Sequence, residues 1–187
     1  MVKKINACVF ISGKGTNLAT LVKSSRKNNF PLKIELVISN KKDAPGLKIS
    51  KRNSIRFKYF SSKKMRIFEK KCLIELKKRE IKFICLAGFM RILSKDFIKN
   101  FSHKIINIHP SLLPKYKGTN THARVLRNKD RFSGCTVHYV TPKLDSGKII
   151  KQKKVLIEKN ENEDSLKKKI LKVEHAIYPK SIIKIFK

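Results

Sequence analysis

Phe83-Ile84-Cys85-Leu86-Ala87 is an unbroken apolar run between Lys82 and Gly88, and its reading decides the fold. A strand with one solvated face alternates apolar and polar side chains. A run with no polar position is buried on both faces, as a central strand of a parallel sheet is. Working outward toward the N-terminus, Lys4 to Ser12 reads as another buried strand, and Gly13-Lys14-Gly15-Thr16-Asn17 as a glycine turn into an apolar helix from Leu18 to about Lys27. Lys33 to Ser39 is a strand, followed by a helix opened by Asp43 with Pro45 in its first turn, where a missing N–H costs nothing. Ile55 to Phe60 is a short strand, and Ser61 is expected to cap a helix reaching about Arg79. On the C-terminal side, Ser94 is expected to cap a short helix, and Lys104 to Ile108 forms a strand. A helix from about His122 to Arg127, strands at Cys135 to Thr141 and Lys148 to Ile157, and a closing helix from about Asp164 complete the pattern. Strands alternating with helices predict an α/β fold, with a mostly parallel central sheet of about seven strands and helices on both faces.

The 187 residues suit a single domain over 1–187, and a hydrophobic content of 41% excludes general disorder. No apolar run approaches the roughly 18 residues of a membrane span. Met1-Val2-Lys3-Lys4-Ile5 is basic then apolar, but Gly13 ends the apolar stretch early and no small-residue cleavage pattern follows. The expectation is a mature first strand in a cytoplasmic protein. Cys8, Cys72, Cys85 and Cys135 lie in apolar or helical segments without a CxxC pair, as small core residues of a reducing compartment do. His103, His109, His122, His138 and His175 are too scattered to suggest a zinc site, so no metal is expected.

A net charge of +33 and a pI near 10.3 invite a nucleic-acid reading. The lysines, however, are spread over nearly every segment, including outer helix faces such as Lys77-Lys78-Arg79 and Lys167-Lys168-Lys169. No stripe, tail or interleaved aromatic platform stands out, so nucleic acid is not the expected main partner. The charge would still draw anionic ligands in faster than a neutral surface does.

The chemistry concentrates in Asn107-Ile108-His109-Pro110-Ser111-Leu112-Leu113-Pro114. Residues at i and i+2 of a strand share a face, so Asn107 and His109 can reach one reacting atom together. Pro110, Ser111 and Pro114 then force the backbone out of the sheet into a fixed loop. Gly13-x-Gly15-x-Asn17 lets backbone N–H groups approach an anion at a helix N-terminus, and without the third glycine of a dinucleotide fingerprint a single phosphate is the better match. Ala87-Gly88-Phe89-Met90-Arg91-Ile92-Leu93 leaves the most buried strand at its carboxyl end, where ligands of such sheets bind, and its apolar side chains could cover a flat heterocycle. The same residues would also serve as ordinary core. His138 alternates with Val137 and Tyr139 and reads as structural, and His122 at a helix start reads as a cap.

These motifs, with Leu144-Asp145-Ser146-Gly147 and Glu174-His175-Ala176-Ile177-Tyr178-Pro179, resemble those of the phosphoribosylglycinamide formyltransferases nearly end to end. His-Pro-Ser-Leu-Leu-Pro is shared across folate formyltransferases; the glycine turn and Glu-His-Ala-Ile-Tyr-Pro are more particular to this family. The resemblance implies a Rossmann-like formyltransferase fold and transfer of a formyl group from 10-formyltetrahydrofolate to the amine of 5-phosphoribosylglycinamide in purine synthesis, with no metal and no covalent enzyme intermediate. By matching positions, it implies that Gly15, Thr16 and Asn17 hold the substrate phosphate and Glu174 the ribose hydroxyls. It places Met90, Arg91, Ile92 and Leu93 around the folate pterin, with Asn107 and the loop of Asp145 beside it, and makes Asn107, His109 and Asp145 the catalytic trio.

Chemistry supports those roles. Attack by a neutral amine on the formyl carbon gathers negative charge on the formyl oxygen, which Asn107 and a charged His109 would stabilise. The carboxylate of Asp145 would favour the charged ring, since opposite charges about 4 Å apart attract by roughly 4 kcal/mol at an effective dielectric near 20, before desolvation. It could also collect the amine's proton, directly or through water.

Two features depart from the family pattern. The Arg used near the folate tail is Met65 here, with Lys64 or Arg66 as substitutes, and the chain ends at Lys187, for which the expectation is lower stability rather than lost activity. Two alternatives stay open. A methionyl-tRNA formyltransferase shares the chemistry but carries a further C-terminal domain for which no sequence follows here. The other is a basic nucleic-acid-binding module on an inactive transferase scaffold. A monomer and a homodimer are both compatible with the sequence.

Overall fold

The structure is a computed structural model that describes residues 4–187. The reading of Met1-Val2-Lys3 therefore lies outside the described residues. The elements in chain order are β1 (Ile5–Ile11), α1 (Thr16–Ser25), β2 (Leu32–Ser39), α2 (Gly46–Arg52), β3 (Arg56–Tyr59), α3 (Met65–Lys78), β4 (Phe83–Leu86), α4 (Lys95–Phe101), β5 (Lys104–His109), α5 (Thr121–Arg127), β6 (Phe132–Tyr139), β7 (Ile149–Leu156) and α6 (Glu163–Ile185). The seven strands run in the order β3-β2-β1-β4-β5-β6-β7, which makes β3 and β7 the edges. The expected α/β architecture holds. By its contacts the chain forms two compact units, one ending at Ile106 and one from Asn107 to Lys187.

In the first unit β1 is parallel to β2 on one side, with Cys8 opposite Leu36, and to β4 on the other, with Val9 opposite Cys85. All four residues of β4 are buried, as its unbroken apolar sequence requires. The core is built on phenylalanine. The ring of Phe10 on β1 lies edge-on to those of Phe68 on α3 and Phe89 after β4, at 6.3 and 5.3 Å between centroids, and Phe68 stacks on Phe89 at 5.8 Å. Each such pair adds about 0.5–1.5 kcal/mol beyond its buried area. Ser94 caps α4 as expected, accepting from the Phe97 N–H at 3.0 Å. The buried Glu69 carboxylate accepts in turn from the Ser94 N–H and hydroxyl, both at 2.7 Å.

Local signals overstate two helix starts in this unit. Asp43 does not open α2, which begins at Gly46 with Pro45 as its N-cap, because Lys42 and Asp43 lie in a turn before it. Ser61 does not cap α3; its Oγ accepts only from Lys63 N at a long 3.4 Å, and Lys64 stands at the N-cap with no side-chain bond.

In the second unit β6 is antiparallel to β7, and α6 packs against both. Strand β6 starts at Phe132, earlier than its apolar residues suggest, because Phe132 and Ser133 pair with Leu156 and Val155. Asn162 and Ser165 open α6 with a reciprocal capping box. Lys151, Lys153 and Lys154 are exposed along β7, and Arg56 and Lys58 along β3. The four cysteines are buried free thiols, and burial pushes that of Cys135 up to about 12. Among the described residues no helix is long and apolar enough to cross a membrane.

Candidate active site

The second unit brings Asn107, His109 and Asp145 together and adds His138. Asn107 and His109 sit at the end of β5, and Asp145 in the loop between β6 and β7, with its backbone in the left-handed region at φ 44°. That conformation is uncommon outside glycine and is held here by surrounding bonds. Asp145 Oδ2 accepts from the Gly118 N–H at 2.9 Å and lies 3.5 Å from His109 Nδ1, while Oδ1 lies 3.7 Å from His138 Nε2. One half-buried carboxylate thus faces two buried imidazoles. Nearby, Lys117 Nζ donates to Ser146 Oγ at 2.5 Å, which ties the neighbour of Asp145 to the same loop as Gly118.

The hydrogen bonds fix what each ring offers. His109 Nε2 is 2.8 Å from the Tyr116 carbonyl, which can only accept, and Nδ1 faces a carboxylate. Both nitrogens therefore look at oxygen acceptors. His138 differs. Its Nδ1 is 2.8 Å from the Tyr139 carbonyl, so that nitrogen carries the hydrogen. Burial, outweighing the Tyr139 bond and Asp145, holds its pKa below the ordinary histidine value, and the neutral ring presents a lone pair at Nε2. The Asn107 amide donates to that lone pair at 3.3 Å. His138 thereby joins the cluster rather than only filling a strand. No local sequence signal marks it; in the structure Thr136, on the same face of β6, donates from Oγ1 to the Ser111 carbonyl at 2.6 Å, directly after the His109-Pro110 step.

His122 does not cap α5. Asn120 is the N-cap residue, and His122 Nδ1 is buried without a hydrogen-bond partner. Glu174 is buried on α6.

In the first unit the glycine turn leads into α1 as read. Gly15 is the N-cap in the left-handed region at φ 74°, where an added Cβ would come within 2.7 Å of the Gly46 Cα, so only glycine fits without strain. Thr16 begins the helix and Asn17 is buried in its first turn. The stretch after β4 divides by burial: Phe89 and Leu93 are core, whereas Met90 and Ile92 are each 63% exposed and Arg91 is exposed between them.

The chain belongs to the formyl transferase family, whose model matches residues 5–182. Proteins similar to it within that family include phosphoribosylglycinamide formyltransferases. The phosphoribosylglycinamide formyltransferase of Escherichia coli is 37% identical over 180 residues, covering 94% of this chain and 84% of that protein. The human trifunctional purine biosynthetic protein adenosine-3 is 39% identical over 183 residues, but this chain spans only 18% of its length. The crystal structure of phosphoribosylglycinamide formyltransferase from Campylobacter jejuni matches with a TM-score of 0.93 at 33% identity, covering 100% of both chains.

Proposed function

We propose that this chain, acting as one cytoplasmic domain over residues 1–187, transfers a formyl group from 10-formyltetrahydrofolate to the amine of 5-phosphoribosylglycinamide. The observation that carries this reading is the half-buried Asp145 carboxylate facing His109 and His138, with the Asn107 amide bonded to the latter. Such a cluster suits acyl transfer without a covalent intermediate, because it supplies donors for an oxyanion and an acceptor for a proton. The Asn107 amide, with one N–H committed to His138, offers the second to the formyl oxygen as charge gathers there. His109 exchanges its Tyr116 carbonyl partner for the same oxygen and brings a positive charge to it. Asp145 stabilises that charge and takes up the proton lost by the amine, directly or through a water molecule; as the bond from the formyl carbon to the folate nitrogen breaks, that proton passes to the departing nitrogen and tetrahydrofolate leaves.

Substrate binding completes the proposal. Gly15, Thr16 and Asn17 receive the phosphate at the start of α1, where N–H groups and the helix dipole favour an anion, and Glu174 takes the ribose hydroxyls. Met90, Arg91, Ile92 and Leu93 line the site of the folate cosubstrate.

One assay tests this reading. Release of tetrahydrofolate is followed spectroscopically with 10-formyltetrahydrofolate and either the ribonucleotide or initiator tRNA as acceptor. Turnover with the ribonucleotide alone is the expected result. Turnover with the tRNA, or salt-sensitive RNA binding without any formyl transfer, would overturn it.

A further inference from the structure

A chain of buried polar side chains in the first unit leads to an exposed residue, and folding alone does not require it to do so. Ser12 directly follows β1, Asn40 directly follows β2, and Ser62 lies between β3 and α3. They are 4%, 7% and 7% exposed. The Ser12 hydroxyl donates to Asn40 Oδ1 at 2.6 Å, and the Asn40 amide donates to Ser62 Oγ at 3.1 Å. At one end of this relay Ser12 grips the turn after β4 twice: its N–H donates to the Gly88 carbonyl at 3.1 Å, and its Oγ accepts from the Met90 N–H at 2.8 Å. At the other end Ser62 Oγ accepts from Arg91 Nε at 3.0 Å.

Buried hydroxyls and amides need partners, and Ser12, Asn40 and Ser62 could satisfy one another without help. Arg91 has no such need, because an exposed guanidinium is hydrated at no cost. Its Nε is nevertheless held by a buried hydroxyl, which restrains the plane of the guanidinium and leaves the two terminal nitrogens uncommitted to that bond. The relay therefore sets both the backbone of Met90 and the side chain of Arg91, on the stretch whose Met90 and Ile92 side chains stand out from the surface.

We propose that Ser62, supported by Asn40 and Ser12, is a positioning residue for the formyl donor: it holds Arg91 and the Met90 backbone in a preset wall against which the donor's flat ring docks. Donor affinity then includes no ordering of a long, rotamer-rich side chain on binding. This inference rests on the formyl-transfer reading above.

The test is Ser62→Ala. It is expected to raise KM for 10-formyltetrahydrofolate about tenfold, the size of one lost hydrogen bond to a charged group, and to weaken tetrahydrofolate binding in calorimetry by the same factor. kcat and KM for the ribonucleotide stay within about twofold, which a general loss of structure would not spare. Ser62→Thr, which keeps the oxygen, restores the parent values. Ser62→Cys, similar in size but a poor acceptor, reproduces the rise and serves if the alanine variant does not fold. Adding Asn40→Leu to Ser62→Ala adds little, since both cut one route. Folate KM and Kd unchanged in an active Ser62→Ala protein would overturn the relay alone. A parent protein that neither binds folate nor transfers formyl would overturn the functional reading, and the relay with it.

Discussion

The side-chain amide of Asn107 donates to Nε2 of His138 across 3.3 Å, and that lone pair is available only because His138 Nδ1 holds its hydrogen against the Tyr139 carbonyl. The tautomer of a residue on β6 therefore decides how an amide on β5 is aimed. In the proposed reaction this aim matters, because an oxyanion donor loses most of its effect when misdirected.

His138→Phe keeps a buried ring but removes the acceptor. It is expected to lower kcat by about 100-fold, the scale of a reacting group misplaced by about 1 Å, with both KM values within about twofold. Steady-state kinetics decide it, and an unchanged kcat would show that Asn107 is oriented by something else.

Asp145→Asn tests the carboxylate. The amide cannot hold a charged His109 or accept the amine's proton, so turnover is expected to fall by roughly 100-fold to 10,000-fold. The thermal midpoint is expected to move by no more than a few degrees. Near-normal turnover would remove Asp145 from the mechanism.

Stability should depend on pH in two steps. Burial lowers the pKa values of His122, His138 and His175 below 6.5, so between that value and their folded values the unfolded chain binds more protons. Stability therefore falls as pH drops through this window and is flat above it. A second fall begins below 4.5, where Glu35, bonded to Lys33 and Arg56, and Glu161, bonded to Ser165 and Lys169, have lowered values. Thermal melts at pH 8, 7, 6 and 5 check the first step; a higher midpoint at pH 5 than at pH 7 would contradict it.

Phe68→Ala should be the costly core substitution, since Phe68 is fully buried and meets both Phe10 and Phe89. A loss of about 3–5 kcal/mol is expected in urea unfolding. Ile74→Ala on the same helix, at a side chain 57% exposed, serves as the control and should cost under about 0.5 kcal/mol.

How legible these features were in the sequence follows from their range. β4 was readable because its burial is written in four consecutive side chains, and the α4 cap because Ser94 bonds a residue three positions on. The start of α3 was not, since Ser61 has the right chemistry but the chain turns helical only after Lys64. Asn107 and His109 share a strand face, which parity reveals. The aim of Asn107 depends on His138, 31 residues away, and on a tautomer set by a backbone carbonyl, which no local pattern encodes. The Ser12, Asn40 and Ser62 relay escaped for the same reason: its members are ordinary polar residues until two strand ends and the segment between β3 and α3 place them side by side.

The exposed lysines of β7, with Arg56 and Lys58 on β3, put like charges on both outer strands of the sheet. An outer strand offers unpaired N–H and C=O groups to any extended chain that drifts near, and clustered ammonium groups repel a second copy before those groups can pair. Part of the +33 charge thus lies where it would oppose pairing of two copies edge to edge. Neutralising Lys151, Lys153 and Lys154 would remove that opposition at the β7 edge while leaving the Asn107–His138 cluster chemically intact.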